Sequence, residues 1–135
     1  MKELSIQDYN LAKIAKSLVS VKKVPGGVLR EVGCALITKK GRVFTGASLD
    51  LACGLGFCAE SSAISNMISH SDETEIKTIV AFGGKILPPC GRCRELMNVI
   101  NKNNWKNADV IISKKQKVKL KGLLPKNWLQ SEGLI

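Results

Sequence analysis

Phe57-Cys58-Ala59-Glu60, read with Pro88-Pro89-Cys90-Gly91-Arg92-Cys93, decides how this chain is interpreted. A C-x-x-C pair offers two thiolates from a single turn, and a distant third cysteine fills another corner of a tetrahedron. The fourth corner is then free for water, which distinguishes a catalytic zinc centre from a closed structural one. Glu60 follows the distant cysteine by two positions, close enough to reach that water without being a ligand. Zinc so held lowers the pKa of its water towards about 7, and Glu60 is placed to carry protons.

Both segments read as helix starts, where partial positive charge favours thiolates at Cys58, Cys90 and Cys93. Arg92 and Arg94 flank Cys93 and can offset its charge, or can be ordinary helix-surface charges. Cys53, five residues before Cys58, leaves an alternative open: a closed four-cysteine site in which Glu60 is merely a helix-start carboxylate. Cys34, inside an apolar run, reads as a small buried residue. His70 sits at a helix end, about ten positions and roughly 15 Å beyond Glu60 at about 1.5 Å per residue.

Working outward, Ser5 can cap a helix running to about Ser20, with Tyr9, Ala12, Ile14, Ala15, Leu18 and Val19 on its apolar face. Pro25-Gly26-Gly27 breaks the chain. Five strands are predicted: Val32 to Thr38, Arg42 to Ala47, Ile76 to Phe82, Asp109 to Ser113, and Val118 to Leu120. Ser48 to Gly56 reads as a loop. Helices are expected from Cys58 to about His70, with Ala63, Ile64, Met67 and Ile68 inward, and from Cys90 through Ile100. Lys114 to Lys117 is too short a link for a crossover, so the last two strands should be antiparallel neighbours. This order implies one domain, 1–135, with a mixed sheet and helices on its faces.

The 135 residues are 44% apolar, enough for a globular core rather than a disordered chain. Five cysteines, an odd number with two held as C-x-x-C, favour metal in a reducing, cytoplasmic setting over a disulfide scaffold. No apolar run approaches the roughly 18 residues of a membrane span. The net charge of +10 invites a nucleic-acid reading. Much of it lies late, at Lys102, Lys106, Lys114, Lys115, Lys117, Lys119, Lys121 and Lys126. Only Trp105 and Trp128 are interleaved, a thin stacking platform, so a solvated lysine face is the simpler reading.

Cys58-Ala59-Glu60 and Pro89-Cys90-Gly91-Arg92-Cys93-Arg94 match the C/H-x-E … P-C-x-x-C signature of zinc deaminases. With Val32-Gly33-Cys34-Ala35, Gly41-Arg42-Val43-Phe44-Thr45-Gly46 and Leu123-Leu124-Pro125, the chain resembles the cytidine deaminase family, including its blasticidin S deaminase branch. The resemblance implies a three-layer α/β/α sandwich with a five-stranded mixed sheet and hydrolytic deamination of a cytosine nucleoside or analogue. It also implies a zinc ion on Cys58, Cys90 and Cys93, Glu60 as the catalytic residue, and a homotetramer. Substrate contacts would fall to Ser48, Asp50, Ala59 and Arg30. The family's ribose-binding asparagine and glutamate correspond here to Ser48 and Asp50, its frequent phenylalanine before Val32 to Arg30, and the arginine after C-A-E to Ser61. Blasticidin S deaminases lack that arginine too. Two other classes remain: a deaminase-fold enzyme acting on RNA or single-stranded DNA, and a non-catalytic zinc module.

Overall fold

The computed structural model describes residues 2–134. In chain order its elements are β1 (Lys2–Glu3), α1 (Ile6–Ser17), β2 (Lys22–Val24), β3 (Gly27–Thr38), β4 (Val43–Leu51), α2 (Ala59–His70), β5 (Ile76–Phe82) and β6 (Ile86–Leu87). There follow α3 (Gly91–Ile100), α4 (Asn103–Asn107), β7 (Asp109–Ile111), β8 (Gln116–Lys119), α5 (Leu120–Leu123) and α6 (Trp128–Ser131). The sheet has eight strands, not the five expected. The five expected segments form its body, in the order β4-β3-β5-β7-β8. The additions are the two- and three-residue strands β1, β2 and β6. β1 and β2 are mostly charged and β6 is only two residues long, so none shows an apolar strand pattern, and their partners make them strands.

Alternation along β3 builds the three layers. Cys34 and Leu36 point into one core with Ala63, Ile64 and Met67 of α2 and Met97 of α3. Ala35 and Ile37 point into the other, with Leu11 and Ala15 of α1. This is the pleat rule at work, and each fully buried aliphatic side chain stabilises by about 1.5–3 kcal/mol. Two glycines let the helices approach. A Cβ on Gly33 would stand 2.2 Å from the Ala15 carbonyl oxygen, and one on Gly46 2.3 Å from the Ala63 nitrogen. The second approach matters for function, because it seats α2, and hence Cys58 and Glu60, directly on β4.

The α1 cap forms as expected: Ser5 Oγ accepts from the Asp8 N–H and Asp8 Oδ2 accepts from the Ser5 N–H. A cap of this kind is worth about 1 kcal/mol. The helix stops at Ser17, and its buried side is Asp8, Leu11 and Ala15. Tyr9 and Ile14, expected inward, are exposed, as are Ile68 of α2 and Val99 of α3. Leu11 and Ala15 set the buried side by packing on Ala35, Ile37, Val80 and Ile111, and Asp8 on the same side meets Lys117 Nζ of β8 at 2.7 Å.

β7 and β8 are antiparallel neighbours, as the short link required, while β5 and β7 run parallel with α3 and α4 between them. β4 continues to Leu51, through residues expected to be loop, because Leu49, Asp50 and Leu51 pair with Leu29, Val28 and Gly27. Pro25-Gly26 is the two-residue turn between β2 and β3, with Val24 opposite Gly27. No helix is long and apolar enough to cross a membrane among the described residues.

Candidate metal centre and active-site cleft

Local chain geometry places all three thiols. Cys58 is the N-cap of α2 and Cys90 the N-cap of α3, both in extended conformation, and Cys93 lies in the first turn of α3. Upstream, Leu49 and Phe57 exchange backbone hydrogen bonds of 2.9 and 3.0 Å, fixing where Cys58 emerges beside β4. Downstream, Arg94 clamps the Cys90 turn: its Nε donates to the Pro89 carbonyl at 2.7 Å and a terminal nitrogen to the Leu123 carbonyl at 3.0 Å. Trp105 Nε1 donates to the Leu124 carbonyl. The Leu123-Leu124-Pro125 segment thus anchors the metal-side helix.

The Cys58, Cys90 and Cys93 sulfurs lie within 4.8 Å of one another, a group able to hold a metal ion. Cys58 and Cys90 are 3.6 Å apart. A tetrahedral zinc with bonds of about 2.3 Å sets its sulfurs about 3.8 Å apart, so the donor set fits that ion. Cys53, which left the four-cysteine alternative open, is outside this group. It is exposed, in a tight turn with φ 61°, beside Gly54 at φ 67°.

The charges call for a cation. Burial first, then the Glu60 carboxylate, pushes the Cys93 thiol up, and burial with the Cys90 sulfur raises Cys58. For Cys90, burial is outweighed by the Cys93 backbone N–H and the Cys58 thiol, and it is lowered. With Cys58 and Cys93 both raised, three thiolates together need a dication between them. Ser61 Oγ stands 3.7 Å from Cys93 Sγ and accepts a 2.6 Å hydrogen bond from Arg92. Cys34 is fully buried and its thiol is raised, chiefly by burial, as a packing residue would be.

An open cleft of about 660 Å³ leads to these sulfurs, with Cys58, Ala59, Glu60 and Cys90 in its lining. Glu60 is 6% exposed, has no side-chain hydrogen-bond partner among the described residues, and burial raises its carboxyl above the usual range against its own backbone N–H. Ser48 and Asp50 of β4 also line the cleft. Ser48 is buried, and its Oγ accepts from the Val32 N–H at 3.0 Å, so it holds β3 together as well as facing the cavity.

Arg30 is not brought to the cleft. It takes a left-handed conformation, φ 59°, and its Nε donates to the Ser20 carbonyl at 3.0 Å. Glu31 lines the cleft instead. No local sequence signal marks this exchange, because it arises from an irregularity between Leu29 and Gly33 that only the pairing with β4 reveals.

The family model for the cytidine and deoxycytidylate deaminase zinc-binding region matches residues 7–108, well over half of the chain. The chain belongs to this family. Over 69 residues it is 38% identical to the cytidine deaminase of Halalkalibacterium halodurans, and over 68 residues 34% identical to that of Mycobacterium tuberculosis. These matches cover 50% and 49% of this chain, and the chain spans about half the length of both relatives, 52% and 51%. The likeness in three dimensions is wider. The crystal structure of the Mycobacterium tuberculosis cytidine deaminase matches at TM-score 0.75 and 26% identity, over 90% of this chain and 97% of its own. That of the Mycobacterium leprae cytidine deaminase matches at TM-score 0.74 and 26% identity, over 90% and 100%. The three-layer α/β/α fold and a zinc-binding deaminase region are therefore features of this protein.

Proposed function

We propose that this chain is a zinc-dependent hydrolytic deaminase. It replaces the 4-amino group of a cytosine nucleoside or analogue by a carbonyl, consuming one water and releasing one ammonia. The observation that carries the reading is the convergence of three cysteine thiols beside Glu60, a buried carboxyl with no side-chain partner, in one open cleft. Cys58, Cys90 and Cys93 hold the metal. When bound, zinc is a Lewis acid that brings the pKa of water towards about 7 and so supplies the nucleophile at neutral pH.

The chain's own residues do the rest. Glu60 takes the proton released by the attacking water, passes it to the ring nitrogen, and delivers a proton to the departing amine. Ala59 packs at the base end of the cleft, and Ser48 and Asp50 face the sugar. Arg92, through Ser61, offsets the charge of Cys93. His70 ends α2 with Nδ1 on the Asn66 carbonyl, and plays no part in the proton transfers.

The described chain acts as a single domain in a reducing cytoplasm, where its thiols stay free, and it works as a homotetramer. Supporting assembly, Leu55 is 70% and Phe57 41% exposed beside an open cleft that a neighbouring chain would shield from water. A polynucleotide substrate is less favoured, because the lysine-rich end is partly neutralised internally. Lys117 and Lys119 pair with Asp109, Lys117 also with Asp8, and Lys121 lies over the Trp105 ring.

The test is an ammonia-release screen on zinc-loaded protein over cytidine, deoxycytidine, their nucleotides and blasticidin S. Turnover of at least one nucleoside is expected. Zinc-replete, folded protein that releases ammonia from none of them defeats the reading.

A further inference from the structure

We propose that the metal centre is also an oxidant-sensitive switch, in which hydrogen peroxide entering the cleft joins Cys58 to Cys90 as a disulfide and releases the metal. This rests on the deaminase reading above and adds to it a regulation of the same site.

The three thiols are not equally placed. Cys90 is exposed and Cys58 half-buried, and both line the open cleft. Cys93 is fully buried in the first turn of α3. An oxidant entering through the cleft therefore meets Cys90 and Cys58 before Cys93. Across the two helix starts their sulfurs are 3.6 Å apart, and a disulfide closes that gap to about 2.05 Å. Both residues are N-caps in extended conformation, so side-chain and loop adjustment suffices and neither helix need unwind. The helix starts stay together meanwhile, because Arg92 of α3 holds Ser61 of α2 at 2.6 Å. The C-x-x-C spacing points instead to Cys90 with Cys93. That second sulfur, however, is shut in the interior, with Ser61 Oγ 3.7 Å away.

The step balances with peroxide as the oxidant. The Cys90 thiolate attacks one peroxide oxygen, the O–O bond breaks and hydroxide leaves, giving a sulfenic acid. The Cys58 thiolate then attacks the Cys90 sulfur, and a second hydroxide leaves as the S–S bond forms. Two thiolates have lost two electrons, one peroxide has gained them, and two protons from solvent turn both hydroxides into water. Cys93 is then the single thiolate left of three. Zinc sites in proteins take three or four protein ligands, so one is too few to retain the ion. A thiol reductant reverses the exchange and restores the three donors.

The experiment titrates zinc-loaded full chain with hydrogen peroxide. Released zinc is read with a colorimetric chelator, free thiols are counted after denaturation, and disulfides are mapped after alkylation and trypsin. Trypsin cuts after Arg42, Lys77, Lys85 and Arg92, so Cys58 falls in 43–77, Cys90 in 86–92 and Cys93 in a separate peptide. Fragmentation of 43–77 separates Cys58 from Cys53. The five thiols of the chain should fall by two as one zinc per chain leaves. Peptides 43–77 and 86–92 should be joined through Cys58, and dithiothreitol followed by zinc should restore both thiols and metal. Cys53→Ser should behave in the same way. Zinc retained throughout the titration, a Cys90–Cys93 or Cys53–Cys58 disulfide, or sulfinic acid in place of a disulfide overturns the proposal. A reversible Cys58–Cys90 link in a protein that never releases ammonia leaves the switch standing and removes the deaminase reading. Turnover that peroxide leaves untouched does the reverse.

Discussion

Arg92 donates a 2.6 Å hydrogen bond to Ser61 Oγ, joining the first turn of α3 to the first turn of α2 across the metal side of the cleft. A hydroxyl that accepts from a guanidinium keeps its own proton to donate, and the sulfur within reach is that of Cys93, at 3.7 Å. The positive charge is thus relayed onto the thiol that burial makes hardest to ionise. Partners of metal ligands typically contribute about 10- to 100-fold to metal affinity. Arg92→Gln is therefore expected to weaken zinc retention by about tenfold in a chelator competition, and Arg92→Lys to restore part of the loss. Equal zinc affinity in the glutamine variant would reduce Arg92 to a surface charge.

Glu60 decides between an enzyme and a scaffold. Glutamine keeps its shape and removes the proton it carries. Loss of a general acid–base group costs on the order of 10²–10⁴ in rate. Glu60→Gln should keep its zinc and its circular dichroism while releasing ammonia at least about a hundredfold more slowly. Near-normal turnover from folded, zinc-replete Glu60→Gln protein would falsify the mechanism.

Cys53 tests the composition of the centre. It lies outside the three-sulfur group, on an exposed turn. Cys53→Ser should bind one zinc per chain as the parent does, whereas Cys58→Ser should lose tight binding, both measured by metal analysis after dialysis. Zinc lost with Cys53 would instead indicate a closed four-thiolate site.

The Asp8–Lys117 pair predicts an acid limb of stability. Burial pushes the Asp8 carboxyl up, but the Lys117 hydrogen bond and the Ser5 cap outweigh it and hold it below its ordinary 3.8. A depressed carboxyl contributes stability in full above its unfolded pKa and loses it as pH falls through the lower folded value. The loss therefore falls below about pH 4. Asp8→Asn should flatten the fall of Tm with pH in that range. Lys117→Met leaves a carboxylate that is 2% exposed without its 2.7 Å partner. That change should cost about 3–5 kcal/mol in urea unfolding at neutral pH.

Much of the centre is legible in the sequence because its geometry is local. Cys58 and Cys90 are helix N-caps, Cys93 is one turn on, and Glu60 follows its cysteine by two positions. Spacings within a helical turn translate directly into distances, so C-A-E and P-C-x-x-C each fix a local group of donors, and their match to the zinc deaminase signature points to one site; the meeting of Cys58 with Cys90, 32 positions on, is tertiary. Local pattern likewise marks the Ser5 cap and the five strands of the sheet's body. Which residues stand opposite the metal is a different matter, since that depends on register between β3 and β4. A strand pattern has period 2, and an irregular pairing changes which face a side chain takes without leaving a mark in the residues themselves. Arg30 turned away, Glu31 turned in, and Ser48 bonded to Val32 were decided by that pairing alone. The buried side of α1 was decided likewise, by the sheet residues that Leu11 and Ala15 meet and by a Lys117 that lies 109 positions from Asp8, none of which a helical window contains.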